Sequence, residues 1–244
     1  MRHIINSHIV FSPNGNTKAI AYYVQSNIDG QLFDITLPPK RATLPHAFER
    51  LFVYVPVYSA TFPKPLSTLF SKIKTRQLII IATHGRMTQG RVWGDIAQTI
   101  KHQELLGLFS IPQKHTYKDE LVTVDLSVLD HFIKHLNAHQ LKPLHVLPKE
   151  KAYRIARMSE PLRTAFNIRL TINHAQCTQC MQCIKACPVN AIDSDLSISK
   201  ACIRCVRCVS ICGENAIVYD QSMLLKRYLK RVKAPTLQSV YRLR

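Results

Sequence analysis

The sequence predicts a doubly wound α/β sheet followed by a small, cysteine-rich α+β domain. Apolar, strand-like runs alternate with helical segments through the first 145 residues, and all 8 cysteines lie at or after position 177. Alternation of this kind forms a parallel sheet covered by helices. We therefore divide the chain into an α/β domain at residues 1–145, a linker at 146–167, the cysteine-rich domain at 168–220 and a basic tail at 221–244.

Each element of the α/β domain follows from a local pattern. Near-continuous apolar runs are typical of parallel strands that are buried on both faces, whereas apolar residues at helical spacing indicate an inward helix face. The expected strands are 4–11, 33–37, 51–57, 78–83 and 106–111. One expected helix begins at Thr17, and the others span 66–73, 92–104 and 128–139. In the cysteine-rich domain, 168–172 alternates as a strand and is expected to pair with 217–219.

The cysteines form two runs with the spacing of an iron–sulfur cluster loop. Both runs read C-x2-C-x2-C-x3-C, and together they contain every cysteine of the chain. In this motif three thiolates hold one [4Fe–4S] cluster and the fourth holds the other cluster of a two-cluster protein. We assign Cys177, Cys180, Cys183 and Cys212 to a first cluster and Cys202, Cys205, Cys208 and Cys187 to a second.

The two runs are copies of one unit. Residues 177–192 map onto 202–217 at a constant offset of 25 positions, and Gly213 stands where Pro188 stands in the first copy. This part of the chain, roughly 168–220, resembles bacterial two-cluster ferredoxins. Zinc is the alternative, although zinc ribbons rarely add a third cysteine two residues after a C-x2-C pair. Disulfides are disfavoured because no secretory signal is recognisable.

The turns after strands one, three and four should lie together at one edge of the sheet, where α/β proteins bind ligands. The first turn, Ser12-Pro13-Asn14-Gly15-Asn16-Thr17, opens a helix whose free N–H groups and dipole favour a phosphate. Neither the Walker loop nor the dinucleotide-binding fingerprint is present.

Three segments resemble the flavin-binding loops of flavodoxins. The 12–17 turn resembles the phosphate loop, Pro56-Val57-Tyr58-Ser59 resembles the loop after strand three, and Thr83-His84-Gly85 resembles the loop after strand four. Together with the ferredoxin repeat, most of the chain resembles a family that fuses a flavodoxin-like domain to a bacterial-type two-[4Fe–4S] ferredoxin domain. The resemblance implies FMN, with its phosphate held by Ser12, Asn14, Gly15, Asn16 and Thr17 and its ring flanked by Tyr58 and His84. A flavodoxin-like shell without flavin is the alternative.

The charge of the chain bears on its partners. Lys and Arg number 33 against 15 Asp and Glu, a formal net charge of +18, which favours an acidic redox protein as partner. The apolar stripe of the basic tail is compatible with an anionic membrane surface and equally with packing against the chain's own cysteine-rich domain. No nucleic-acid-binding module is recognisable. Since no apolar run is long enough to span a bilayer and no signal segment is recognisable, we expect a cytoplasmic protein.

These features predict an electron-transfer protein that relays electrons through two [4Fe–4S] clusters, to or from FMN in the N-terminal domain. FMN accepts two electrons and releases them singly, whereas each cluster carries one. The alternative is a flavin and iron–sulfur oxidoreductase that acts on a small molecule, for which His84 is the obvious proton donor. An electron carrier is favoured, and no catalytic residue is assigned.

Overall fold

A computed structural model describes residues 4–86, 89–118, 122–149, 165–231 and 237–244. Its strands are β1 (Asn6–Val10), β2 (Gln31–Asp34), β3 (Ala47–Pro56), β4 (Lys74–His84), β5 (Lys101–Pro112), β6 (Leu141–Lys142), β7 (Ile168–Ile172), β8 (Ile217–Gln221), β9 (Gln238–Val240) and β10 (Arg242–Leu243). Its α-helices are α1 (Asn16–Gln25), α2 (Pro38–Ala42), α3 (Ser67–Phe70), α4 (Val92–Thr99), α5 (Ser127–Asn137), α6 (Gln182–Lys185), α7 (Arg207–Ser210) and α8 (Met223–Leu229).

The predicted parallel sheet is confirmed. Strands run in the order β2-β1-β3-β4-β5-β9, and the first five pair in parallel. The side chains of Leu51–Val55 in β3 and of Leu78–Ala82 in β4 are at most 1% exposed. Helices cover both faces of these central strands, which explains why their sequences are continuously apolar.

Side chains on the two faces of the sheet pack into two hydrophobic cores. On one face, Val53 and Ile80 pack with Trp93 and Ile96 of α4. On the other, Phe52 and Ile79 join a cluster that includes residues of α1 and α5. Successive side chains of a strand point to opposite faces, so the sheet lies between two apolar layers. Since β1, β3 and β4 pair in parallel, their carboxyl ends lie along a single edge.

Two predicted helix boundaries are wrong. The helix expected over 92–104 ends at Thr99, and Ile100 is already extended, with φ −84° and ψ 126°. The residues that follow join β5, which is 12 residues long, since pairing along β4 satisfies their backbone groups. The helix expected over 66–73 is a 3₁₀ turn, Lys64–Leu66, followed by the four-residue α3.

The segment predicted as a basic tail contributes to the sheets. Strand β9 pairs antiparallel with β5 at the edge of the main sheet, and β10 pairs with β6. The C-terminal chain thus covers an edge that would otherwise present unpaired backbone groups. Most of the predicted linker, residues 150–164, lies outside the described residues.

The cysteine-rich domain is built on the strand pair expected from the sequence. Strands β7 and β8 pair antiparallel, with Ile172 opposite Ile217. Buried Ile192 and Ile217 pack beside the cysteines in a small separate core. Within the described ranges, no helix has the length and apolar character needed to cross a membrane.

Candidate metal centres and the adjoining loop edge

The first predicted cluster site is a cavity of about 250 Å³. Its lining includes all four cysteines assigned to it: Cys177, Cys180, Cys183 and Cys212. The structure therefore brings the last cysteine of the second run to the first three cysteines of the first run. Among the described residues, no three His, Cys, Asp or Glu side chains form a site for one bare metal ion.

The second predicted site gathers the remaining cysteines. Cys187, Cys202, Cys205 and Cys208 are all buried, and Cys187 lies close enough to the other three to affect the pKa of each thiol. Burial raises the pKa of the Cys205 and Cys208 thiols to about 12, and neighbouring thiols add to the rise. These groups are protonated at neutral pH unless a metal centre binds them as thiolates.

Both cysteine runs have the same backbone conformation. Gln179 and Met181 adopt left-handed φ values of 55° and 58°, and their counterparts Arg204 and Val206 adopt 55° and 52°. Alternation of left-handed and right-handed residues forms a nest of N–H groups that favours an anion. Both runs therefore share a backbone conformation that favours a bound anion.

The two sites differ in their exposure. Cys180 of the first site is exposed, and Cys177, Cys183 and Cys212 are half-buried. The second run instead packs against the α/β domain: Ile203 is 2% exposed and, with Cys205, belongs to the main core of that domain. The first site therefore faces solvent, whereas the second is enclosed between the two domains.

Hydrogen bonds fix the second cysteine run against the edge where β1, β3 and β4 end. Among the described residues, five side chains reach across between the domains, and each donates to a backbone carbonyl. Asn14 donates to Cys205 (2.9 Å), Arg207 to Pro13, Tyr117 to Arg204 (2.6 Å), Gln221 to Tyr117 (3.2 Å) and Arg41 to Pro188 (2.6 Å), which directly follows Cys187 of the second site. The 12–17 loop is therefore in direct contact with the loop of the second predicted cluster.

Most side chains of the 12–17 loop are engaged within the protein. The Ser12 hydroxyl accepts the Lys18 N–H at 3.0 Å, the Thr17 and Thr83 hydroxyls lie 2.7 Å apart, and the Asn16 amide donates to the Lys114 carbonyl. Gly15, with φ 84°, precedes α1. The backbone N–H groups of Asn16 and Thr17 have no acceptor among the described residues, as is usual at a helix start. A phosphate here would therefore be held chiefly by backbone groups.

Tyr58 and His84 follow β3 and end β4, at the same edge as the loop. Tyr58 is half-buried within a short bridge to Thr61. Burial lowers the pKa of His84 to about 4, and its Nδ1 is buried without a hydrogen-bond partner among the described residues. An unpaired ring nitrogen at this position is compatible with a bound polar group.

Sequence reasoning missed the residues that join the domains. Tyr117 and Arg41 lie outside every motif, and their acceptors are carbonyls, which any residue possesses. Arg204 and Arg207 did carry a signal, since the first run has Gln179 and Gln182 at the corresponding positions. That difference shows that the two halves of the repeat have different surroundings.

Comparison with known families bears on the cysteine-rich domain. The 4Fe-4S binding domain family matches residues 170–193, which include the whole first cysteine run. No curated protein matches the chain. The chain thus carries a region similar to 4Fe-4S binding domains behind a mostly parallel α/β sheet, which points to iron–sulfur electron transfer.

Proposed function

We propose that this protein transfers electrons through two [4Fe–4S] clusters, which exchange them with FMN held at the edge of the α/β domain. The observation that carries the proposal is the exchange of cysteines between the two runs: Cys212 lies at the cavity of the first run, and Cys187 lies beside the cysteines of the second. Single-metal sites built from one run each would not need this exchange, whereas paired cubanes do.

The topology supports FMN as the second redox group. The order β2-β1-β3-β4-β5 is that of flavodoxin-like sheets, which bind FMN where the strand order reverses, between β1 and β3. The 12–17 loop follows β1 and Tyr58 follows β3, so the residues implied by the flavodoxin resemblance lie at that point. The N–H groups at the start of α1 suit its phosphate.

The exposure of the two cluster sites supports an order in which electrons pass through them. The site with exposed Cys180 is accessible to a partner protein, whereas the buried site contacts the 12–17 loop through Asn14 and Arg207. In this proposal electrons pass between a partner and the flavin edge by way of the first and then the second cluster. FMN supplies the two-electron step and each cluster a one-electron step.

The chain's own residues define the environment of each centre. The cysteines supply thiolates, and the left-handed residues Gln179 and Arg204 belong to backbone nests whose N–H groups favour a negative charge. The Ala191 N–H donates to the Cys187 sulfur at 3.2 Å, which stabilises negative charge there. Since burial keeps His84 neutral at pH 7, the site supports an electron carrier more than a reductase that needs a charged acid at this position.

Metal and sulfide analysis of anaerobically purified protein tests the proposal. Two cubanes require about eight irons and about eight labile sulfides per chain, and the FMN expected from the topology is quantified in the same sample. Replacing Cys180 by Ser should lower both counts toward half, because one cluster loses a ligand. Stoichiometric zinc without labile sulfide would contradict the proposal.

A further inference from the structure

The two cysteine runs supply the same ligands but different charges. At the second residue of each C-x2-C interval, the first run has Gln179 and Gln182 and the second has Arg204 and Arg207. The matching left-handed φ values of Gln179 and Arg204 place these side chains at equivalent positions around the two centres. At these two positions the chain itself therefore provides a neutral version and a doubly cationic version of one cluster loop. Elsewhere in the runs, Lys185 of the first corresponds to uncharged Ser210 of the second.

Arg204 lies directly beside a ligand of the second site. It follows Cys202 by two residues and directly precedes Cys205, and both of these ligands are buried. The Tyr117 hydroxyl donates to the Arg204 carbonyl at 2.6 Å and so holds the residue in place. The Nε atom of Arg204 is buried and has no hydrogen-bond partner among the described residues.

Arg207 lies between the second site and the α/β domain. One of its Nη atoms donates to the Pro13 carbonyl in the 12–17 loop, and its Nε is also buried without a partner. The ion pairs found in the described part of the chain, Lys18 with Asp34 and Arg91 with Asp95, include neither arginine of the second run. Both arginines are half-buried, and their buried Nε atoms, unpaired among the described residues, favour a negative group nearby.

We propose that Arg204 and Arg207 balance the charge of the second [4Fe–4S] cluster and raise its reduction potential, so that this cluster, rather than the first, draws electrons toward the 12–17 loop. The inference rests on the proposed function in requiring two clusters. Reduction adds one negative charge to a cluster, and a nearby cation stabilises that charge. Enclosure alone acts in the opposite direction, since it disfavours added charge, and the arginines offset that effect.

Exchanging the residues between the two loops tests the inference. In the full-length protein, Arg204→Gln with Arg207→Gln gives the second loop the residues of the first, and Gln179→Arg with Gln182→Arg does the reverse. Potentiometric titrations followed by electron paramagnetic resonance give the midpoint of each cluster. We expect the midpoint of the second cluster to become more negative in Arg204→Gln with Arg207→Gln. We expect the midpoint of the first cluster to become more positive in Gln179→Arg with Gln182→Arg.

Three controls separate charge from structure. The pair Arg204→Lys with Arg207→Lys keeps the charges and should keep the wild-type midpoint. Gln221→Ala removes a hydrogen bond to the Tyr117 carbonyl, between the domains, without changing charge and should also keep it. Iron and sulfide counts show that both clusters are present in each variant. If the glutamine variant loses its second cluster, the midpoint of that cluster cannot be measured. The rise expected in the midpoint of the first cluster in Gln179→Arg with Gln182→Arg then decides the inference.

The inference and the proposed function fail in different ways. A wild-type protein without two iron–sulfur clusters overturns the proposed function. Two intact clusters whose midpoints are unchanged by either exchange overturn the inference alone. A fall of the midpoint in the Gln221→Ala variant as large as in the glutamine variant also overturns it, because the arginines would then act through docking rather than through charge.

Discussion

Tyr117→Phe should weaken the contact between the two domains by a predictable amount. The Tyr117 hydroxyl donates to the Arg204 carbonyl at 2.6 Å, and burial raises the pKa of this phenol well above its usual value, so it remains a donor. Phenylalanine keeps the ring contacts with Tyr219 and His115. The substitution therefore removes one partly buried hydrogen bond and leaves the carbonyl without this donor.

The expected magnitude follows from that single loss. Leaving a partly buried acceptor without its partner costs about 1 kcal/mol. For a chain of this length, each kcal/mol lowers Tm by about 2–4 °C, so we expect a fall of about 2–4 °C. Anaerobic differential scanning calorimetry of the protein with its clusters measures the change. Amide hydrogen exchange at 202–208 should accelerate in parallel if the loop is released from the α/β domain.

Tyr23→Phe is the matched control. Its hydroxyl also donates at 2.6 Å, to Asp130, but at an exposed position, so its removal should cost about 0.5 kcal/mol or less. A Tm fall in Tyr117→Phe no larger than in Tyr23→Phe, with unchanged exchange at 202–208, would refute the assignment of Tyr117 to the domain contact.

Three further predictions concern the clusters, the loop and the core. Cys187→Ala should abolish the paramagnetic signal of the second cluster, whereas Cys212→Ala should abolish that of the first, and the opposite pattern would disprove the crossed ligation. Thr17→Ala should lower the free energy of unfolding by about 1–3 kcal/mol because it leaves the buried Thr83 hydroxyl unpaired, and Thr17→Ser should restore most of that loss in chemical denaturation. Burial lowers the pKa of His8 to about 4, so its stabilising effect is full above pH 6.5 and is lost as the pH falls toward 4. Denaturation at pH 7 and at pH 5 should show a loss of about 2 kcal/mol from this residue, and an equally steep loss in His8→Asn would disprove it.

The features that could be predicted from the sequence are those with a strict geometric requirement. Cysteine spacing led to the crossed grouping of Cys187 and Cys212 because a compact loop can direct only three thiolates to one cubane. The buried runs in β3 and β4 were recognisable because a strand enclosed on both faces has no polar positions. Pairing of β7 with β8 followed from the alternation of 168–172.

The features that escaped prediction depend on tertiary contacts. The boundary between α4 and β5 was misplaced because 101–104 is polar, and its strand conformation comes from pairing with β4. Strand β9 has only three residues, too few for a pattern, and it exists because β5 offers an edge. Docking of the second cysteine run on the 12–17 loop uses carbonyl acceptors at Pro13 and Cys205, which leave no trace in side-chain identity.

Counting the electrons that the protein accepts is the most direct test of the relay. An anaerobic reductive titration of protein carrying its clusters and FMN, followed optically, should consume about four electrons per chain, two for FMN and one for each cluster. The flavin and iron–sulfur absorbances should bleach within the same titration. Consumption of about one electron or none per chain would contradict an electron relay through two clusters, provided that further reductant leaves the flavin and iron–sulfur absorbances unchanged.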